Sequence, residues 1–277
     1  MTDPLTHLIC PLDSLPLHLH ERSWRCENGH SYDVAKQGYV NLLPVQNKRS
    51  KDPGDSKAMV QARRDYLEQG YYQSLAQVLA DTVLAHSNQS LLDAGCGEGY
   101  YLRYLVEQAE QNDVDLSIAA LDISKWAVQD AAKKDKRLSW MVASNSAIPL
   151  ADNSVDTILC VFGFPVEAEF KRVLKPDGRL IMVDPARDHL KELKAIIYSE
   201  QKIKKETLPV TSPEFKLISE QRETFPVSLT SNQAIKDLLT MTPHLYRSSA
   251  EGREEASKLD AIALTADIWV RVFGLSH

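Results

Sequence analysis

Residues Leu91 to Tyr101 read Leu-Leu-Asp-Ala-Gly-Cys-Gly-Glu-Gly-Tyr-Tyr, so an apolar run breaks into the alternating glycines Gly95, Gly97 and Gly99. A second apolar stretch ends in Asp122, at about the distance that separates a glycine turn from its ribose-binding acid. Glycines at this spacing let the backbone turn tightly against a ligand, and Asp122 can accept hydrogen bonds from both hydroxyls of a ribose. Asp93 lies in the same turn and joins Gly95, Gly97, Glu98 and Asp122 as a candidate cofactor-binding residue. The pattern is Gly-x-Gly-x-Gly, not the dinucleotide Gly-x-Gly-x-x-Gly. Glu98 also places an acid where a pyrophosphate would need bare amides. A cationic, phosphate-free adenosine derivative fits better, and S-adenosylmethionine is one.

Such a loop works only at the end of a buried strand. From Ser90 onward short apolar runs (Ile118 to Leu121, Leu138 to Val142, Thr157 to Phe162, Leu180 to Val183) alternate with amphipathic stretches, which predicts a parallel sheet covered by helices. Phe215 to Val227 and Ala266 to Phe273 read as two later strands, completing a Rossmann-like α/β sheet of seven strands with an antiparallel edge. Before the sheet, Ser56 caps a helix that Gly70 stops, and a second helix runs from Tyr72 to Ala85. Residues 1–34, rich in Pro, His and Cys, form a small separate module, 35–86 a connector, and 87–277 the main domain. With 277 residues and 43% hydrophobic content the chain can bury a large core. No run approaches the roughly 20 apolar residues of a membrane span and no signal peptide opens the chain, so a cytoplasmic protein is expected. Four cysteines are too few for a disulfide scaffold, and Cys96 and Cys160 read as packing residues. A net charge of −6 argues against nucleic-acid binding by the whole surface but not by a local patch.

The segments Asp152-Asn-Ser-Val-Asp-Thr-Ile-Leu159 and Glu169-Phe-Lys-Arg-Val-Leu-Lys-Pro-Asp-Gly-Arg-Leu180, taken with the glycine loop, resemble class I S-adenosylmethionine-dependent methyltransferases. The runs Lys36-Gln-Gly-Tyr-Val-Asn-Leu-Leu43, Lys51-Asp-Pro-Gly-Asp-Ser56, Ala62-Arg-Arg-Asp-Tyr-Leu67 and His189-Leu-Lys-Glu-Leu-Lys194 extend the resemblance over nearly the whole chain, to the bacterial 23S rRNA guanine-N1-methyltransferase family. The resemblance implies methylation of one guanine in a hairpin of 23S rRNA. It also implies that Tyr72, Gly97, Glu98 and His189 line the cofactor site. From residue type alone, Tyr72 reads as a helix residue covering the sheet and His189 as a helix-start residue in solvent.

The family's N-terminal module carries Cys-x-x-Cys followed by Cys-x-x-x-His, a tetrahedral zinc set. Here Cys10, Cys26 and His30 are kept, and Asp13 stands in the second position. Zinc accepts carboxylate oxygen, so Cys10, Asp13, Cys26 and His30 are the candidate ligands, with His7, His18 and His20 as nearby substitutes. The alternative is a zinc-ribbon-like module that has lost its metal and is held by Leu12, Leu15, Leu17, Trp24 and Tyr32.

Guanine N1 lies on the Watson-Crick edge, so the target base must be unpaired or flipped out and then stacked. Phe162, Phe164 and Pro165 follow the fourth strand, the expected position for base contacts, with Tyr39 and Tyr198 as further candidates. Asp184 at the end of the fifth strand is a candidate catalytic base or, alternatively, a cap of the next helix. Lys48, Arg49, Lys51, Lys57, Arg63 and Arg64 make a positive segment that is either an RNA phosphate contact or an ordinary solvated face. The expected partner is therefore an rRNA hairpin and not a membrane, and the apolar module offers a surface for a homodimer. A small-molecule methyltransferase and a non-catalytic RNA-binding protein of the same fold are the competing functions.

Overall fold

A computed structural model describes residues 7–47, 50–86, 90–198 and 207–276. Three short strands, β1 (His18–His20), β2 (Ser23–Arg25) and β3 (Ser31–Asp33), form an antiparallel meander close to the N-terminus. Two tight turns flank it. One closes with Ser14 N–H donating to Cys10 O (2.8 Å), the other with Gly29 N–H donating to Cys26 O (3.0 Å), and Ser14 and Gly29 both take positive φ.

The main sheet has eight strands, not the seven expected, in the order β10-β11-β9-β8-β5-β6-β7-β4. The additional strand is β4 (Tyr39–Asn41), which pairs parallel to β7 (Ser139–Val142) with Tyr39 opposite Trp140. A three-residue strand between glycine and leucines has no alternation long enough to be read from sequence, so the connector passed for loop. The remaining parallel strands are β5 (Ser90–Ala94), β6 (Ser117–Asp122), β8 (Val155–Val161) and β9 (Leu174–Pro185). The chain leaves β5 through α3 (Tyr100–Gln111) to β6 on one side, and later places β8 on the other side of β5. That reversal opens a crevice at the C-terminal ends of β5 and β8, where open α/β sheets bind ligands. The long strands β10 (Phe215–Leu229) and β11 (Ile262–Leu275) form the antiparallel edge.

The two faces of the sheet are covered differently. On one side pack α2 (Gln73–Leu84), α3, α4 (Lys125–Lys134), α6 (Lys191–Ile197) and α7 (Asn232–Met241), through Leu75, Leu102, Val128, Leu193 and Ile235. Helix α1 (Lys57–Leu67), capped by Ser56, joins them through Tyr66 and Leu67. The other face is shared by α5 (Glu167–Val173) and the N-terminal module, whose Leu8, Leu17 and Trp24 lie in one cluster with Leu92, Leu121, Met141 and Phe170. The small module is thus a structural layer of the domain, fastened by Ile9 N–H to Pro149 O (3.1 Å) and Ala151 N–H to His7 O (2.9 Å).

Gly99 shows what the close packing demands. Its φ is +82°, and a Cβ there would stand 2.7 Å from Trp140 Cη2 and 3.3 Å from Ala131 Cβ. Gly99→Ala combines left-handed strain with overpacking and is expected to cost about 2–4 kcal/mol, read as a lowered urea midpoint. An unchanged midpoint would mean that Trp140 yields freely.

Candidate functional site

The glycine loop lies at the crevice. Gly95 and Cys96 amides both donate to Leu121 O at 2.9 Å, binding the ends of β5 and β6 together. Asp122 then fixes the loop, with Oδ2 accepting from Gly97 N–H (3.0 Å) and Oδ1 from Ser124 N–H (2.7 Å). A Cβ on Gly95 would meet nothing within 4 Å, so that side of the turn is open to a ligand. Asp93 beneath it is 2% exposed. Its Oδ1 has no hydrogen-bond partner among the described residues. Burial, with the neighbouring Asp122 charge, pushes the Asp93 carboxyl up to about 8. Burial also raises Asp122, against the pull of its two amide donors. Two acids face the turn, and the nearby Arg63 is already paired with Asp55, so the site suits a positively charged, ribose-bearing ligand, and S-adenosylmethionine fits these residues.

Glu98, expected to line the cofactor, is held by one of its two carboxylate oxygens, and its Oε1 is buried without a hydrogen-bond partner among the described residues. Its carboxylate is buried and Oε2 accepts from Arg103 (3.2 Å) and Lys134 (3.1 Å), which also hold Glu68. Through Oε2 the side chain clamps α3 and α4 to the end of α1. Cys96 and Cys160 are buried and unbridged, as packing residues should be.

Tyr72 and His189, far apart in the chain, meet at the same end of the sheet. Tyr72 Oη and His189 Nε2 are 3.4 Å apart, and His189 Nδ1 accepts from Asp267 N–H at 3.2 Å. An accepting Nδ1 puts the proton on Nε2, so the neutral imidazole donates towards Tyr72 and leaves the phenolic hydrogen free for a ligand. The loop carrying His189 is strapped to β11 by Asp188 N–H on Asp267 Oδ2 (2.9 Å) and Leu190 N–H on Thr265 O (2.7 Å). Asp267 is in turn gripped by both ends of the Arg222 guanidinium at 2.7 Å. Phe162 completes the cluster, stacked 6.0 Å from His189 and edge-on 6.3 Å from Tyr72. Its φ of +52° is strained for a phenylalanine, a conformation that persists where the surroundings impose it. Phe225, 5.8 Å from Tyr72, and the Arg222–Asp267 strut gave no sequence signal, because strand pairing alone brings them here.

Burial lowers the His189 pKa to about 3, below its ordinary value of 6.5. The unfolded chain therefore binds a proton that the folded one refuses. Stability is complete above pH 6.5 and falls as pH drops towards 3, by up to about 1.4 kcal/mol per pH unit. His244, lowered to about 4, adds to the slope. Urea unfolding of His189→Asn between pH 5 and 7 should lack one proton's worth of that slope; an identical slope would contradict the buried neutral imidazole.

In the N-terminal module, one ligand atom from each of Cys10, Asp13, Cys26 and His30 lies within 4.8 Å of every other. His30 Nδ1 is 3.4 Å from Cys10 Sγ, 3.4 Å from Cys26 Sγ and 3.0 Å from Asp13 Oδ2, and Cys26 Sγ is 3.4 Å from Asp13 Oδ2. Zinc bonds to sulfur, nitrogen and oxygen imply tetrahedral edges of about 3.3–3.8 Å, so four donors already stand near their coordinating positions. Asp13 is brought into the set, whereas His18 and His20 lie exposed on β1 and take no part. The residues fit zinc.

The basic segment is less positive than its sequence. Lys48 and Arg49 lie outside the described residues. Arg63 pairs with Asp55 at 2.5 Å and donates to Met241 O, while Arg64 pairs with Asp130 at 3.1 Å. Lys51 and Lys57 remain exposed. Of the further aromatic candidates, Tyr39 is buried in β4 and Tyr198 is bonded to His244 at 2.8 Å. Phe162 and Phe164 are 39% and 83% exposed at the crevice. Asp184 caps no helix; its Oδ2 is shielded from solvent without a hydrogen-bond partner, 3.9 Å from Arg271.

Comparison with known proteins agrees with this layout. Residues 8–51 match the zinc-ribbon family described as RlmA, N-terminal, and residues 85–241 match the family described as Methyltransferase domain. A Streptomyces fradiae protein named 23S rRNA (guanine(748)-N(1))-methyltransferase is 40% identical over 68% of this chain and 66% of its own. A Micromonospora griseorubida protein provisionally named 23S rRNA (guanine-N(1)-)-methyltransferase is 37% identical over 69% of this chain and 70% of its own. A Bacillus subtilis (strain 168) protein provisionally given that activity is 28% identical over 94% of both chains. No helix among the described residues is long and apolar enough to cross a membrane.

Proposed function

Because the chain belongs to the 23S rRNA (guanine-N1)-methyltransferase family, we propose that it transfers a methyl group from S-adenosylmethionine to N1 of one guanine in a 23S rRNA hairpin. The observation that carries this reading is the four-donor cluster docked directly on the methyltransferase sheet. A small-molecule methyltransferase has no use for such a layer, whereas a zinc-held module beside the crevice can hold a structured RNA while one base is presented to the donor.

When bound, S-adenosylmethionine supplies an electrophilic methyl on a sulfonium. The chain's residues hold the two reactants. Asp122 binds the ribose, the glycine turn admits the donor, and Asp93 presents an unpartnered carboxyl oxygen to it. Tyr72, His189 and Phe162 wall the crevice where the base arrives. Cys10, Asp13, Cys26 and His30 hold the zinc that keeps the module folded. The contribution to rate is largely positioning, an in-line approach of N1 to the methyl carbon.

The test is transfer of labelled methyl to 23S rRNA and to assembled subunits from cells lacking the modification. Transfer to large-subunit RNA and not to 16S RNA is expected. Donor binding with no transfer to either would move the assignment to a small-molecule acceptor.

A further inference from the structure

Two consecutive arginines on α1 take different directions. Arg64 pairs with Asp130 of α4 at 3.1 Å. Arg63 lies over the glycine turn, where a Cβ built on Gly97 would stand 3.8 Å from its Nη1 and 3.9 Å from its Cδ. Burial raises the Asp122 carboxyl, and the Arg63 charge is near enough to oppose it.

The guanidinium is fixed on two sides. Nη1 pairs with Asp55 at 2.5 Å, and Nη2 donates to Met241 O at 2.9 Å. Asp55 is itself anchored, because its carbonyl accepts from the hydroxyl of Ser124, the cap of α4, at 2.7 Å. A guanidinium carries more N–H donors than these two contacts use, and the rest have no acceptor among the described residues. The side chain keeps 29% of its surface exposed, so a ligand can reach it. Arg103 and Lys134, which also stand by the turn, are both taken up by Glu98 and Glu68.

S-adenosylmethionine ends in an amino acid, so its site must hold an ammonium and a carboxylate borne on one carbon. Asp93 and Asp122 supply negative charge, and Asp93 Oδ1 has no partner among the described residues. A carboxylate brought in beside two acids needs a cation of its own. A planar guanidinium with N–H groups to spare suits that task, because it can meet both carboxylate oxygens at once.

We propose that Arg63 binds the carboxylate of the donor's amino-acid end, while Asp55 and the Met241 carbonyl hold the guanidinium ready. This inference rests on the S-adenosylmethionine reading of the crevice and adds the residue that tells an amino-acid-bearing donor from a bare nucleoside. Asp55 already neutralises Arg63, so the gain comes from directed hydrogen bonds more than from net charge. The guanidinium is preset, so little side-chain freedom is lost on binding. A mere strut between the Asp55 loop, α1 and α7 would affect every ligand of the crevice alike.

Calorimetric titration of the full chain with two ligands separates these roles. One is S-adenosylhomocysteine; the other is its decarboxylated analogue, 5′-(3-aminopropylthio)-5′-deoxyadenosine, which keeps the adenosine, the thioether and the ammonium. The wild-type chain should bind S-adenosylhomocysteine about 30-fold more tightly, equivalent to about 2 kcal/mol at about 1.4 kcal/mol per tenfold. Arg63→Gln should weaken S-adenosylhomocysteine about 30-fold and leave the analogue within about threefold, so that the preference disappears. Arg63→Lys keeps the charge but not the fork and should retain a preference of about 3- to 10-fold. Equal weakening of both ligands in Arg63→Gln would make Arg63 a strut and overturn the inference. A wild-type chain that binds the two ligands alike would overturn it even where a variant fails to fold. A wild-type chain that binds neither would overturn it together with the donor reading. The expected preference in a chain that methylates no rRNA would support the inference and sink only the rRNA acceptor.

Discussion

Asp122→Ala is expected to bind S-adenosylmethionine about 100-fold more weakly than the unaltered chain while remaining folded. A carboxylate offers about four acceptor positions, and two are taken by the Gly97 and Ser124 amides. The other two are left for the ribose hydroxyls. Hydrogen bonds to a charged acceptor contribute about 1.5–3 kcal/mol each, so losing two costs about 3 kcal/mol even before the turn loosens. The Leu121 carbonyl still holds Gly95 and Cys96, which keeps the loop in place. Asp122→Asn retains one acceptor and should fall between the two. Calorimetric titration with S-adenosylhomocysteine decides it: an Asp122→Ala affinity within threefold of the wild type would place the ribose elsewhere.

Cys26→Ser should strip the zinc. The wild-type chain is expected to hold about one zinc per molecule and the variant less than about a tenth, since a serine hydroxyl is a poor ligand and a structural zinc site contributes on the order of 10 kcal/mol to its own folding. Loss of metal leaves Asp13 and His30 facing each other across an empty set of donors, and the turns that carry them lose their anchor. Trp24 and Leu17, which cover the second face of the sheet, should become mobile, and rRNA methylation should fall at least about 10-fold. Affinity for S-adenosylmethionine should stay within about twofold, because the glycine turn is built on the other strand ends. Asp13→Cys should keep zinc, and Asp13→Ala should bind it more weakly. A zinc-free wild-type chain with full methylation of RNA would show that packing alone holds the module.

The parts of this molecule legible in the sequence are those where one short segment carries the whole signal. The glycine turn, the alternating strands, the Ser56 cap and the Cys26–His30 pair each announce themselves within a dozen residues. Asp13 was legible as a ligand only because three partners kept their spacing and zinc tolerates oxygen. The eighth strand was not legible, since Tyr39 to Asn41 is too short to show a period and its partner β7 lies about 100 residues away. Glu98 illustrates a different limit. An acid in a ligand-binding turn reads as a ligand contact, and only the positions of Arg103 and Lys134, one on each of two helices, show that one of its oxygens also serves as a clamp. Charge behaved likewise, because the arginines of the connector look free in sequence and are paired once Asp55 and Asp130 come near.

The most direct test of the account is to map the product of methyl transfer on 23S rRNA lacking the modification, by reverse-transcription arrest followed by nucleoside analysis of the arrested fragment. One strong stop at a single hairpin guanine is expected, identified as N1-methylguanosine and weakened in Asp122→Ala at limiting S-adenosylmethionine. Methylation at another base atom, or transfer only to acceptors other than rRNA, would contradict it.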